Sequence, residues 1–282
     1  NVGKPVRPML AERLRSPKEI LEKLGGRCAA EYKYDGERLQ IHKKESSVTL
    51  FSRRLENITS HYPDVCDLVR EQFKVSEAIV ECECVAIDPN SGDLMPFQEL
   101  MHRRRKYGIE EAMESYPISI YLFDLLYVDG RDFTLKPYPV RRKNLGKIFI
   151  EGERVKLAEA KVVDNLGDLE RFFEEAIEAG CEGLMVKSIS SDSVYQAGAR
   201  GWLWIKYKRD YQALLTDTLD LVVVGAFYGR GRRAGSYGAL LLACYDKDND
   251  VFKSVCKCGS GFTDEDLKNL PEMLHNIVIP HM

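Results

Sequence analysis

The sequence predicts an α+β protein of two domains, in which antiparallel β-sheets flanked by helices are followed by a small β-barrel. The chain has 282 residues, more than one hydrophobic core usually contains. Alternating strands and amphipathic helices follow each other until about Arg209, where the pattern changes to strands separated by glycine-rich turns. We therefore predict one domain at 1–210 and a second at 211–282.

Residue patterns place the elements of the first domain in order. A helix is expected at 17–24, because Ser16 can cap its free amides and Pro17 fits its first turn. Three alternating runs then predict an antiparallel meander, at 28–35, 39–43 and 48–52. The remaining predictions are a helix at 62–73, strands at 78–87 and 118–128, a helix at 166–179 and a strand at 183–187.

The second domain is predicted to be a barrel with too few strands. Its strand-like runs lie at 219–228, 237–245 and 251–258, and a helix-like segment follows at 263–274. Because the sequence ends at Met282 before such a barrel is complete, we expect a partial barrel and a chain cut from a longer protein.

Composition excludes several classes of protein. Apolar residues make up 44% and charged residues 30%, which is ordinary for a globular protein and argues against disorder. The sequence has no run of about 18 apolar residues and no secretory signal, so we expect an intracellular protein with no membrane partner. The eight cysteines lie mostly in apolar runs without zinc-site spacing, which predicts reduced, buried thiols.

Charge gives a mixed indication about nucleic acids. The net charge of −3 taken alone argues against such a partner. Basic clusters could still bind phosphates if the fold gathers them on one face, although a single cluster is more often a solvated surface. These clusters lie at 103–106, 141–143, 206–209 and 230–233.

The run Glu31-Tyr32-Lys33-Tyr34-Asp35-Gly36 alternates charged and aromatic residues. In a strand this pattern puts Glu31, Lys33 and Asp35 on one face. A surface strand with an ion pair gives the same pattern, and an isolated Lys-x-Asp-Gly is more often only that. The interpretation as a reactive lysine therefore needs other charged strands nearby.

Later strands supply such charges. Glu81 and Glu83 share a face of the strand at 78–87, and neighbouring carboxylates suit a cation or a ligand hydroxyl, with an exposed edge strand as the alternative. The run 182–187 has a charge at each end, and the run 202–208 places two tryptophans and two lysines on one face. A solvated edge whose tryptophans are simply core is the alternative for the last run.

Together these residues provide what a nucleotide site needs. A purine binds to aromatic surface and hydrogen-bond acceptors, and a triphosphate binds to lysines and to a divalent cation held by carboxylates. The sequence contains neither Gly-x-x-x-x-Gly-Lys-Ser/Thr nor a credible dinucleotide fingerprint. A nucleotide would therefore be held by these strands rather than by such a loop.

Five motifs in order resemble those of the covalent nucleotidyltransferase superfamily, and within it the ATP-dependent DNA ligases of archaeal and eukaryotic type. They are Lys33-Tyr34-Asp35-Gly36, Glu81-Cys82-Glu83, Tyr121-Leu122-Phe123-Asp124 and the runs 182–187 and 204–208. The stretch 220–235 is similar to the start of the ligase OB-fold domain. The resemblance, which covers nearly the whole chain, implies a nucleotidyltransferase (adenylation) domain at 1–210 and an OB-fold β-barrel truncated at its C-terminus at 211–282.

The resemblance implies a reaction in three transfers. Lys33 would take AMP from ATP and pass it to the 5′-phosphate of nicked double-stranded DNA, after which the 3′-hydroxyl would seal the nick. An amine attacks phosphorus only without its proton, so cations are expected around it, namely Lys187, Lys206, Lys208 and Mg²⁺ or Mn²⁺. Asp35 would oppose them, so we expect it to turn toward Gly36 or toward the metal.

Binding roles follow from the resemblance position by position. Glu31 would recognise the adenine, Phe123 would stack on it, and Glu83 would hold the ribose or a metal. The remaining assignments are Arg38 and Arg53 at the nucleotide or DNA phosphate, Glu182 at the metal, and Lys187, Lys206 and Lys208 along the phosphates. The resemblance further implies a monomer, with a sliding clamp as an additional candidate partner, located in the cytoplasm of an archaeon or the nucleus of a eukaryote.

The chain departs from the family pattern at both ends. The last motif of the family, which orients pyrophosphate, has no counterpart before Met282, and the large helical DNA-binding domain of these ligases does not precede Asn1. We therefore expect a catalytic-core fragment. An mRNA-capping guanylyltransferase or an RNA ligase shares the first motif and is the nearest alternative, and a non-catalytic OB-containing nucleic-acid-binding module is another.

Overall fold

The structure is a computed structural model that describes residues 1–103, 108–209, 220–229, 235–247, 249–259 and 261–275. The predicted basic residues at 104–106 and 230–233, and the first residue of the predicted strand at 219–228, lie outside the described residues. Backbone contacts divide the chain into two compact units, Asn1–Asp210 and Tyr211–Met282.

Two β-sheets form the centre of the first unit. The strands of the five-stranded sheet are β1 (Leu10–Arg13), β2 (Cys28–Tyr32), β9 (Ala160–Val163), β10 (Gly183–Ser188) and β11 (Arg200–Lys208), in the order β1-β11-β10-β2-β9. The strands of the other sheet are β3 (Glu37–Lys44), β4 (Ser47–Ser52), β5 (Glu77–Ala86), β6 (Ile118–Val128), β7 (Arg131–Asp132) and β8 (Val155–Leu157). Its order is β4-β3-β5-β6-β7, with β8 paired to β6.

Helices cover these sheets. They are α1 (Pro17–Lys23), α2 (Pro63–Gln72), α3 (Phe97–Leu100), α4 (Ile109–Ser115), α5 (Tyr138–Leu145) and α6 (Leu166–Glu178), with short 3₁₀ turns at Thr59–His61 and Met101–Arg103. The predicted cap of α1 is confirmed, because the Ser16 hydroxyl accepts from the Glu19 amide at 3.3 Å. Gly180 ends α6 with φ +83°, a left-handed conformation that glycine adopts without strain.

Each sheet has its own hydrophobic core. Helix α2 packs its apolar face on the six-stranded sheet, and α6 buries Phe172 and Phe173 against the five-stranded sheet. A third, smaller cluster joins residues of both sheets, including Met9, Ile79 and Trp204. The two sheets are therefore packed together, with separate cores on their outer sides.

The predicted meander at 28–52 is confirmed for its second and third strands, since β3 and β4 pair antiparallel, but it is wrong for its first strand, because β2 does not pair with β3. Strand β2 lies between β9 and β10, whereas β3 and β4 belong to the other sheet. The chain leaves the first sheet after Tyr32 and enters the second at Glu37. At this crossing a Cβ on Gly36 would collide with the carbonyl oxygen of Cys84, so only glycine fits.

The second unit contains β12 (Val222–Tyr228), β13 (Tyr237–Asp246), β14 (Val251–Cys258) and α7 (Asp264–His275). The strands form an antiparallel sheet in the order β12-β13-β14, and the described part of the chain shows no closed barrel. The α+β class is thereby confirmed, and the OB-fold assignment of this unit stays a prediction. The five cysteines of the first unit are buried, as predicted, whereas Cys244, Cys256 and Cys258 of the second unit are not. None of the helices described is long and apolar enough to cross a membrane.

Candidate active site

A cavity of about 340 Å³ opens between the two sheets of the first unit, with strands of both sheets in its walls. This volume lies within the range of pockets that bind small molecules. Every residue assigned a role from the sequence lines it: Glu31, Lys33, Arg38, Arg53, Glu83, Phe123, Glu182, Lys187, Lys206 and Lys208. The fold thus brings together side chains that are up to 177 positions apart, from Glu31 to Lys208.

Lys33 lies just beyond the end of β2, in the segment that crosses from one sheet to the other. Its backbone is fixed on β10, since its amide donates to the Gly183 oxygen at 2.9 Å and its carbonyl accepts from the Glu182 amide at 2.8 Å. Its ammonium contacts Oε2 of Glu182, and Nζ of Lys208 lies 2.6 Å from the same oxygen. One carboxylate therefore bridges two lysines.

Lys206 adds a further positive charge to this end of the cavity. Burial is the main cause that lowers the pKa of Lys206, and its cationic neighbours Lys33 and Arg53 lower this pKa further. Asp35 also lines the cavity, and its Oδ2 accepts from the Phe97 amide at 3.1 Å. Desolvation is the main cause that raises the pKa of Asp35; the nearby Glu182 raises it further, and Lys33 opposes the rise. The expectation that Asp35 turns toward Gly36 or toward a metal stays a prediction.

Glu83 is a partly buried carboxyl whose pKa is raised to about 7. Desolvation is the main cause, and the carboxylates of Glu182 and Asp35 raise the pKa further against the opposing effect of Lys33 and Arg38. For Glu182, desolvation raises the pKa, but Lys33 and Lys208 lower it overall. Glu83 would therefore be stabilised in its charged form by an additional cation.

The donor set suits a divalent ion that shares its coordination with a substrate. Among the described residues no group of three or more His, Cys, Asp or Glu side chains is arranged to hold a metal alone. Mg²⁺ is usually bound through one or two carboxylates together with substrate phosphates and water. Glu83 and Glu182, which both line the cavity, fit that requirement.

The opposite end of the cavity is built around Glu31, which is 1% exposed. The hydroxyl of Tyr138 and Nη1 of Arg142 both reach its Oε1, the latter at 3.3 Å, and the ammonium of Lys187 contacts its Oε2. Burial lowers the pKa of Lys187. The ammonium of Lys187 therefore pairs with Glu31, whereas those of Lys33 and Lys208 pair with Glu182.

Aromatic rings surround the Lys187 ammonium. It lies 5.0 Å from the ring centroid of Phe123, 4.8 Å from that of Tyr138 and 4.5 Å from that of Trp204. Such distances allow cation–π attraction. Phe123 and Trp204 also meet edge to face, so this end combines a flat aromatic surface with one buried ion pair.

Arg38 forms part of the cavity wall. It donates to Glu81 Oε2 and to the Met9 carbonyl, both at 2.8 Å, and this carboxylate also accepts from the Tyr195 hydroxyl. Glu81 is 1% exposed, so its role here is to pair with Arg38, while Glu83 faces the cavity. The guanidinium lies 5.4 Å from the Phe123 ring.

Two arginines of the predicted phosphate-binding clusters are buried and paired. Arg103 donates to both oxygens of Asp64 at 2.6 and 3.0 Å, and Arg141 to both oxygens of Asp124 at 2.7 and 3.0 Å. Since Arg103 is 1% and Arg141 0% exposed, a role for either in binding phosphate is wrong. Such bidentate pairs fix neighbouring elements to each other.

Sequence reasoning missed Tyr138 and Arg142 as site residues. They are four positions apart on α5, so both lie on the same helix face and reach Glu31. A helix start at Pro137 followed by this spacing is the signal that could have paired them.

Comparison with known proteins is consistent with this geometry. The family model described as the ATP dependent DNA ligase domain matches residues 8–208, which is most of the chain. The chain belongs to the ATP-dependent DNA ligase family. A second model, the ATP dependent DNA ligase C terminal region, matches residues 233–281.

Curated relatives extend the family match over the whole chain. The chain is 63% identical to DNA ligase 2 of Thermofilum pendens, over 99% of its own length and 47% of that protein. It is 58% identical to a probable DNA ligase of Aquifex aeolicus, over 97% of its own length and 47% of that protein. The chain thus spans about half the length of the curated ligases that it matches.

Solved ligase structures share the fold. Mycobacterial DNA ligase D complexed with ATP and MES matches with a TM-score of 0.56 and 24% identity, covering 98% of this chain and 79% of that one. A Lig E DNA ligase matches with a TM-score of 0.59 and 16% identity, covering 93% and 86% of the two chains. At these identities the likeness concerns the fold alone.

Proposed function

We propose that the chain is the catalytic part of an ATP-dependent DNA ligase, with Lys33 as its nucleophile. The observation that carries the proposal is the position of Lys33 in one cavity with Glu182, Lys206 and Lys208 at its own end and with Phe123 and Glu31 at the other. This arrangement offers a purine an aromatic surface and offers its phosphates cations. The family membership supports the same reaction.

In the first transfer the Lys33 Nζ lone pair attacks the α-phosphorus of ATP. A nitrogen–phosphorus bond forms, the bond to the bridging oxygen breaks, pyrophosphate leaves with that electron pair, and the lysine proton is lost to solvent. Lys206 and Lys208 line the cavity beside Lys33, whose ammonium contacts Glu182. The same lysines stabilise negative charge on the phosphoryl group during transfer.

Glu83 and Glu182 are proposed to hold a divalent cation, Mg²⁺ or Mn²⁺, which when bound would neutralise phosphate charge. Phe123 would stack on the adenine, and Glu31 would contact its polar edge. Arg38 and Arg53 would lie near the ribose and phosphates, and Lys187 would act at the base end.

The later transfers require DNA. AMP would pass from Lys33 to the 5′-phosphate of a nick, and the 3′-hydroxyl would then attack that phosphate and release AMP. We propose nicked double-stranded DNA as the substrate, because the relatives are DNA ligases. The sliding clamp, the monomeric state and the cellular location stay predictions, and the relatives, which come from archaea and bacteria, give no support to a nuclear location.

Mass spectrometry after incubation with ATP and Mg²⁺ tests the proposal. We expect one AMP adduct on Lys33, abolished in Lys33→Ala and also in Lys33→Arg, because arginine keeps the charge but cannot act as this nucleophile. Lys44→Arg, a surface change at an exposed ion pair, is the matched control and should label normally. The Thermofilum pendens relative serves as the positive control for the assay.

The outcomes separate the candidate functions. A label retained in Lys33→Arg, or no label on the chain under conditions in which the relative is labelled, would refute the proposal. Labelling by GTP in preference to ATP, or sealing of nicked RNA in preference to nicked DNA, would support the guanylyltransferase or RNA ligase alternative instead.

A further inference from the structure

Glu31 accepts hydrogen bonds from donors that leave its carboxylate one free position. Tyr138 and Arg142 both donate to Oε1, and Lys187 donates to Oε2. A carboxylate oxygen has two lone pairs, so two donors fill Oε1, while Oε2 can accept one more hydrogen bond. Among the described residues no other side chain donates to Oε2, and Glu31 lines the cavity that a ligand would enter.

The helix that carries two of these donors is itself rigidly held. Arg141, which lies between Tyr138 and Arg142 on α5, forms its buried pair with Asp124. The Tyr138 amide donates to the Ser193 carbonyl at 2.9 Å. A helix fixed in this way keeps both donors directed at one oxygen of Glu31, so the carboxylate has little freedom to turn.

Arg142 has further anchors of its own. Its Nη1 donates to the Leu122 carbonyl at 3.3 Å and its Nη2 to the Ala158 carbonyl, in addition to Glu31. The guanidinium therefore connects β6, the segment after β8 and the Glu31 carboxylate. Tyr138 is 3% exposed, and desolvation together with the charge of Glu31 raises its pKa well above the usual value, so its hydroxyl remains a donor.

We propose that Tyr138 and Arg142 are positioning residues that make the cavity select a 6-aminopurine over a 6-oxopurine, by presenting Glu31 as a fixed hydrogen-bond acceptor. The inference rests on the proposed function, because it requires the base to enter beside Phe123 and Glu31. An amino group at position 6 donates to the free Oε2 position. An oxo group at position 6 accepts, so it meets an acceptor at that place and loses its hydrogen bond.

The same contacts explain why loss of Tyr138 or Arg142 would relax the selection. Lys187 is the donor that an oxo group needs, and it is held on Glu31 within the aromatic rings. If Glu31 is free to turn, Lys187 is free to donate elsewhere. Binding of the 6-oxopurine should then improve relative to the 6-aminopurine, which a general loss of structure would not produce.

Calorimetric binding of ATP and of inosine triphosphate, both with Mg²⁺, tests the inference on the whole chain. In Tyr138→Phe the ratio of the two dissociation constants (inosine triphosphate over ATP) should fall about tenfold, the usual scale for one hydrogen bond to a charged group. Arg142→Gln should lower the ratio at least as much, and Arg142→Lys, which keeps the charge, should restore part of it.

Tyr62→Phe is the matched control. Tyr62 is fully buried and its hydroxyl donates to Glu37 Oε2 at 2.6 Å, so the change removes the same kind of bond outside the cavity. It should leave the ratio unchanged. Thermal melts identify any variant that fails to fold, and Arg142→Lys gives a second, milder test of the same contact.

The result separates this inference from the proposed function. If unmodified protein binds ATP and is labelled at Lys33, but the ratio is unchanged in Tyr138→Phe and in Arg142→Gln, the selection role is refuted and the ligase proposal stands. If ATP affinity and inosine triphosphate affinity fall equally, the residues are merely structural, and the inference is again refuted. If unmodified protein neither binds ATP nor is labelled, the proposed function itself fails.

Discussion

The two ends of the cavity differ in how their ion pairs are exposed to solvent. At the lysine end, the side chains of Lys33, Glu182 and Lys208 are 19%, 26% and 32% exposed. At the other end, those of Lys187 and Glu31 are 1% and 2% exposed. Exposed pairs contribute little to stability and exchange partners readily, whereas a buried charge that loses its partner is costly. The comparison indicates that folding fixes the end around Glu31 and Lys187, where the adenine base is proposed to bind. The lysine end stays free to rearrange around phosphates.

The largest effect is expected from the buried pair that anchors α5. Asp124→Ala leaves the Arg141 guanidinium without its carboxylate in a site where both side chains are fully buried. We expect a loss of about 3–5 kcal/mol in the free energy of unfolding, measured by urea denaturation. The control is Asp67→Ala, which breaks the exposed pair with Arg70 and should cost about 1 kcal/mol or less. Equal losses in the two variants would contradict the contrast between buried and exposed pairs.

A smaller, pH-dependent effect is expected from Glu83. Its pKa is raised to about 7 in the folded protein from an ordinary value of 4.5. Between these values the folded protein binds the proton more tightly than the unfolded chain does, so stability should fall as the pH rises from about 5 to 8. Glu83→Gln should remove this fall, which we place at roughly 1–3 kcal/mol.

Denaturation of both proteins at a series of pH values measures this difference. Identical pH profiles for Glu83→Gln and the unmodified chain would show that the Glu83 carboxyl is not destabilised by the cavity. The argument that a bound cation would stabilise the charged form of Glu83 would then be contradicted.

The smallest effect on stability is expected at the lysine end. Glu182→Gln removes the charge that bridges Lys33 and Lys208, but these groups are partly exposed, so the free energy of unfolding should change by about 1 kcal/mol or less. Labelling of Lys33 by ATP should nevertheless fall at least about tenfold if Glu182 helps to hold the metal. A large loss of stability together with normal labelling would contradict the comparison, because the ion pairs at the lysine end would then stabilise the fold and not serve the reaction.

The sequence pattern identified residues better than it identified strand partners. Alternation around Lys33 and Glu83 selected side chains that line the cavity. It could not show that β2 ends at Tyr32, because strand pairing depends on segments more than 120 positions away, such as β9 and β10. Local periodicity carries no information about such long-range contacts.

Burial of charge was the other property that the sequence did not reveal. Arg141 and Arg142 are adjacent in a basic run, which usually indicates a solvated surface. In the structure Arg141 is buried against Asp124 and Arg142 is directed to Glu31. The position of α5 on β2 and β6 determines the different partners of Arg141 and Arg142. The basic run 141–143 by itself contains no signal that specifies this position.

The crossing at Gly36 has a mechanical consequence. Only four residues, 33–36, join β2 to β3, so this tether reaches at most about 14 Å even when fully extended. Lys33, the proposed nucleophile, lies in this segment. Gly36, at the end of the segment, packs directly against the Cys84 carbonyl. A movement that separates the two sheets is therefore limited by the reach of this segment, and any such movement would also shift the backbone of Lys33.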